Sequence, residues 1–169
     1  MTIITTPPCA FSSDELDAAW EEWNCNCGPA ALAACLVCTL DDVRRFCYPT
    51  GFETKGYLNP TMMGQAITNA GRRYHGVATS LLPRSGVVRV QWGGPWMKPE
   101  VPIRARYGHT HWIASRLLNK IQWVFDVNAG WQPFAEWQSQ TVPRLTGAIK
   151  RADGTWSYTH LWEVRGSGS

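Results

Sequence analysis

The chain changes character once, at Gly71, and that change limits its fold more than any other feature. Before it, helix signals follow one another. Ser12-Ser13-Asp14-Glu15 has the capping-box pattern ahead of LDAAWEEW and predicts a helix over about 13–23. Gly28-Pro29 opens an alanine- and leucine-rich run, with proline suited to a first turn, and predicts a second helix reaching about residue 38. Thr39 can cap LDDVRRF, which stops before Pro49, and Asn59-Pro60 opens TMMGQAITNA. After Gly71 come YHGVATSLL, GVVRVQW, HTHWIASRL, QWVFDV and TWSYTHLWEV, short β-branched or aromatic runs divided by Gly, Pro and Asn turns, with a short helix expected over PFAEWQS. Helices first and strands afterwards predict an α+β fold, N-terminal helices packed on a C-terminal antiparallel sheet. Residues 1–165 are expected to form a single domain, and the closing Gly166-Ser167-Gly168-Ser169 reads as an appended tail.

With 44% hydrophobic and 17% charged residues in 169, the balance is globular and the chain can bury a core. The net charge is only +3, and the arginines are scattered (Arg44-Arg45, Arg72-Arg73, Arg104, Arg106), which argues against a nucleic-acid partner. No apolar run approaches the roughly 20 residues that cross a bilayer, so no membrane association is expected. MTIITTPPCAF lacks the basic and apolar regions of a signal peptide. A cytoplasmic protein with reduced thiols is the expectation. The ten tryptophans suit a core and sheet faces.

All six cysteines (Cys9, Cys25, Cys27, Cys35, Cys38, Cys47) lie in the first third, which would leave the rest of a disulfide framework unstapled. Cys25-x-Cys27 and Cys35-x-x-Cys38 resemble zinc pairs in spacing. Yet Cys35 and Cys38 fall inside AALAACLVC, a helical apolar run with no turn to form a metal knuckle, and read as buried thiols. His109 and His111 would share one strand face, about 7 Å apart, but no third ligand stands nearby. Neither a metal nor a cofactor is expected.

Cys27 stands directly before Gly28-Pro29, at the mouth of the second predicted helix. Unsatisfied N–H groups place about half a positive charge there and favour thiolate. Cys25 lies two residues back in the loop, so Cys27 is the better nucleophile. A thiol needs a base and a group to orient that base. His75 and His160 sit in strand-like runs with no carboxylate shortly after them. His111 opens the apolar run Trp112-Ile113-Ala114, which would fix its ring. If HWIAS and QWVFD are neighbouring antiparallel strands, the turn RLLNK brings Asp126 near His111.

Cys27-Gly28-Pro29-Ala30-Ala31-Leu32, then Pro102 and Ile103, His111-Trp112-Ile113, and Asp126 with Gly130 together resemble the papain-like cysteine peptidases, in particular the compact group that cuts double-glycine leader peptides. The resemblance spans roughly residues 20–132. It implies a papain-like fold, a peptide or protein substrate, and an acyl-enzyme formed on Cys27, with His111 as general base and then acid and Asp126 as orienter. Asn128 is the alternative orienting residue, since papain uses an amide there.

One position departs from the pattern. Six residues before the cysteine, where such enzymes supply a glutamine to the oxyanion hole, this chain has Glu21, and an ionised carboxylate cannot donate. Losing such a donor costs about 10²–10³ in turnover. Asn24 is the expected substitute, beside the Cys27 backbone N–H, with Asn26 the other candidate. A catalytically impaired binding or inhibitory protein on the same scaffold, or an acyltransferase or deamidase using the same three residues, are the alternatives.

Overall fold

The computed structural model describes residues 6–78 and 81–167. Five helices come first: α1 (Ser13–Trp23), α2 (Cys27–Leu36), α3 (Leu40–Cys47), α4 (Phe52–Lys55) and α5 (Pro60–Asn69). All but α4 start on a side-chain cap. Ser12 and Glu15 close a reciprocal capping box on α1, Thr39 caps α3 and Asn59 caps α5. α2 ends at Leu36 rather than at 38, because Val37 takes the left-handed conformation and turns the chain out of the helix.

Six strands then form one antiparallel sheet in the order β1-β6-β2-β3-β4-β5. They are β1 (Arg72–Gly76), β2 (Ser85–Trp92), β3 (Thr110–Leu118), β4 (Ile121–Asp126), β5 (Gly130–Pro133) and β6 (Trp156–Gly166). The fold is thus α+β, with the helices N-terminal. The run expected as a strand from Tyr74 to Leu82 pairs only to Gly76; of the rest, positions 79 and 80 lie outside the described residues. Gly166 belongs to β6, opposite Arg72; positions 168 and 169 also lie outside the described residues.

Both faces of the sheet are buried, as alternation along its strands records. Val87, Trp112, Ala114 and Phe125 face the N-terminal helices, packing with Leu32, Met63 and Ile67. Val88, Ile113, Val124 and Leu161 face the other way, against Trp137 and Val142. This second layer exceeds the short helix expected over PFAEWQS. Helical chain continues from α7 (Phe134–Glu136) through a π turn at Trp137–Thr141 into α8 (Val142–Ala148). A further single turn, α6 (Ile103–Arg106), precedes β3.

α2 explains how so much apolar surface closes. Ala30, Ala31, Ala33 and Ala34 are all essentially inaccessible, so this helix is enclosed on every side and lies directly against β3. Small side chains let its backbone approach the sheet closely. Its N-terminus, carrying Cys27, thereby meets the end of the sheet where β3 begins.

Candidate active site

Asn26, Cys27 and the helix they open come first. Asn26 is the N-cap: its Oδ1 accepts from the Gly28 N–H at 3.4 Å, while its Nδ2 donates to the Gly56 carbonyl at 2.7 Å. Cys27 is therefore the first residue of α2, pinned between the cap and the loop that follows α4.

His111 is the second residue of β3. Its ring stacks on Trp92, centroids 5.9 Å apart, and is only 8% exposed. Across the β3–β4 hairpin, whose two turn residues Asn119 and Lys120 both have positive φ as a type I′ turn requires, Asp126 closes β4. His111 Nε2 lies 2.9 Å from Asp126 Oδ2, though the ring N–H points away from the straight line to that oxygen, so the link is more electrostatic than directional. The Cys27 thiol is the imidazole's other neighbour, each group shifting the titration of the other. The structure brings all three sequence-predicted groups together, from a helix start, a strand start and a strand end.

Electrostatics follow from that line. Burial alone would raise the Cys27 pKa, but the hydrogen bond and charge of His111, with the Trp112 backbone N–H, hold it below its ordinary value of 9.0. For His111 burial works in the opposite direction; Asp126 and Cys27 outweigh it and push the imidazole up to about 10. Asp126 is itself fully buried, and its carboxyl is held down to about 2 despite desolvation, by His111, Trp137 and the Asn128 backbone. A lowered thiol beside a raised imidazole favours the thiolate–imidazolium form of the pair.

Asp126 has further donors. Trp137 Nε1 donates to Oδ2 at 2.9 Å, and Asn128 donates to Oδ1 through its backbone N–H at 2.9 Å and its Nδ2 at 3.0 Å. Asn128 thus braces the carboxylate and is not itself bonded to the imidazole. Trp137 was not singled out in the sequence, where PFAEWQS signalled only a short helix.

Asn24, the expected oxyanion donor, stands at the end of α1 rather than at the start of α2. It caps α1 in the left-handed conformation, is exposed, and directs its Nδ2 to the Gly56 carbonyl at 3.4 Å. Asn26 is the amide that borders Cys27. Glu21 is exposed on α1, and the α1 residues that line a depression together with Cys27 are Leu16, Asp17 and Trp20.

Cys25, Cys35 and Cys38 shift the opposite way from Cys27. Cys25, fully buried, is pushed up to about 12 by desolvation and then by Cys27, and burial likewise raises Cys35 to about 12 and Cys38 to about 11. None of the six is disulfide-bonded. His109 stacks on Trp96, centroids 3.8 Å apart, and among the described residues no group of three or more His, Cys, Asp or Glu is placed to hold a metal ion. Nor is any described helix long and apolar enough to cross a membrane.

Two depressions flank the sulfur. One, of about 250 Å³, lies toward Trp20, Asp17 and Asn128; the other, of about 520 Å³, lies toward Tyr57, Asn59, Arg89 and Tyr107. Asn26 and Cys27 border both. Comparison of the chain with family models, with curated proteins and with solved structures finds no match.

Proposed function

We propose that the protein is a cysteine-dependent hydrolase of the papain-like class, a peptidase cleaving amide bonds through an acyl-enzyme on Cys27. The observation that carries this reading is the pairing of a lowered thiol with a raised imidazole, backed by a buried carboxylate. The Cys27 thiolate adds to the scissile carbonyl carbon. His111, protonated at the outset, gives its proton to the departing amine as the C–N bond breaks. Water then loses a proton to His111 as it attacks the thioester, and the carboxylic acid leaves with the thiolate restored. Asp126 holds the ring in place and stabilises its charge.

For the developing oxyanion we assign two donors. The Cys27 N–H opens α2 and belongs to the first turn, whose donors lack intrahelical acceptors. Asn26 Nδ2 carries two protons, of which the Gly56 carbonyl takes one. This assignment moves the role from Asn24 to Asn26 and relieves the objection raised by Glu21. A papain-like architecture is supported by the nucleophile helix lying against the base-bearing strand, with the orienter on the next strand. A peptide or protein substrate fits a cleft that continues on both sides of the sulfur, and a reducing compartment such as the cytoplasm would keep the thiol available.

The test is turnover of a peptide library, with mass spectrometry of the enzyme trapped at low pH. Cys27→Ser is expected to lower cleavage by at least about 10³-fold and to abolish the thioester adduct, while Cys25→Ser retains both. Loss of cleavage in Cys25→Ser with retention in Cys27→Ser would overturn the assignment.

A further inference from the structure

The larger depression beside Cys27 holds an arginine that no carboxylate pairs with, although the Tyr107 phenol and the Cys27 thiol both favour its charge. Arg89 lies on β2 directly opposite Trp112 of β3, so it faces the helical layer and lines the depression with Tyr57, Asn59, Tyr107 and Arg104. No carboxylate lines that depression. The guanidinium is half-buried; its Nη2 donates to Thr110 Oγ1 at 3.2 Å, and its Nε is buried with no partner. Among the described residues no ion pair reaches it.

Other arginines are treated differently. Arg106 donates to the Val101 and Pro99 carbonyls, Arg116 to the Cys35 carbonyl at 2.6 Å, and Arg44 pairs with Glu22 at 3.1 Å. Arg89 also sits where β6 bulges: one residue, Thr159, is extra opposite the Arg89–Val90 step, and its hydroxyl donates to the Arg89 carbonyl. A bulge at this point re-aims the local side chains. A buried donor without an acceptor is costly, and a half-buried charge is held more cheaply beside a carboxylate; one carboxylate would serve both, since the guanidinium fork matches it. Burial indeed lowers the Arg89 pKa, a penalty an incoming anion would relieve.

We propose that Arg89 binds a carboxylate of the substrate immediately beside the bond attacked by Cys27. The inference rests on the thiol-hydrolase reading above. The carboxylate is either an acidic side chain or the free C-terminus of a chain, two sources of the same chemistry. The opposite depression carries Asp17 instead, so the cleft is polarised and selects the direction in which a charged substrate lies.

The experiment uses two alkylating probes that differ in charge. Iodoacetate and iodoacetamide are each reacted with Cys27, and the ratio of their rates is taken, which cancels any change in thiolate population. In Arg89→Gln the iodoacetate-to-iodoacetamide ratio is expected to fall about tenfold, and Arg89→Lys is expected to retain most of it. A ratio that Arg89→Gln leaves unchanged, with Cys27 still rapidly labelled, would overturn the carboxylate site alone. Slow labelling of the native chain by both reagents would overturn the thiolate reading and this inference with it. A second measurement needs no variant. Peptides blocked at both ends and differing only in Glu against Gln, and a Gln peptide with a free C-terminus, are compared for protection of native Cys27. Protection by either carboxylate carrier at about tenfold lower concentration than the neutral peptide supports the site and identifies the source. Equal protection by all three contradicts it.

Discussion

A fully buried carboxylate is tolerable only where donors and charge surround it, and Asp126 has three donors, Trp137 and both nitrogens of Asn128, with the His111 ring 2.9 Å away. That arrangement fixes how stability depends on pH. His111 is raised from 6.5 to about 10, so its contribution is complete below 6.5, where the ring is protonated in the unfolded chain too, and fades as pH rises through about 10. Asp126 is lowered from 3.8 to about 2, so its contribution is complete above 3.8 and fades as pH falls through about 2. Both are fully present only between 3.8 and 6.5. The difference in unfolding free energy between the native chain and Asp126→Asn, measured by urea titration across pH, is therefore expected to be largest in that window and to shrink toward pH 10. A difference independent of pH would contradict the pairing. The three residues themselves could be found in the sequence because each sits at a recognisable punctuation mark: a Gly-Pro helix start, a strand opening, a strand end before Asn-Ala-Gly. The Arg89 environment could not, since nothing in a string of residues says which guanidinium lacks a partner.

Among the elements, the one the sequence disclosed least is the helical run from Phe134 to Ala148. Pro143 occupies the first turn of α8, where its missing N–H is not needed. Gly130-Trp131-Gln132-Pro133, for which no strand was expected, pairs with β4 as an edge strand, the position in a sheet that admits proline. The π turn between α7 and α8 begins at Trp137, a fully buried indole that donates to Asp126 and stacks on Phe134 at 6.0 Å. π turns concentrate at functional sites, where the extra residue per turn shifts a side chain's aim. Trp137→Phe keeps the ring and removes the donor. It is expected to cost about 2 kcal/mol in urea unfolding, and to raise the Asp126 pKa observed by carboxyl NMR. An unchanged carboxyl titration would show that the indole only fills space.

At the scale of the whole molecule, the N-terminal half supplies the sulfur and the C-terminal half supplies everything that acts on it. The sheet must therefore hold β3 and β4 in register against α2, and its centre shows how tightly. Gly86 lies in β2 between β3 and β6, and a methyl group there would run into the Trp162 carbonyl and the Pro83 ring. Gly86→Ala is expected to destabilise the protein by more than about 2 kcal/mol in denaturant unfolding, whereas a loss below about 0.5 kcal/mol would mean the strands can part without cost. Helices first and strands afterwards was legible from capping signals and turn residues; the second helical layer was not, because burial of both sheet faces leaves short apolar runs that do not disclose what covers them. The account joins its two halves at one contact, so the decisive measurement is the pH dependence of Cys27 alkylation by iodoacetamide in the native chain and in His111→Ala. The prediction is a thiol titrating below 9.0 in the native chain and above 9.0 in the variant, where burial acts unopposed; a midpoint that His111→Ala leaves unmoved would contradict it.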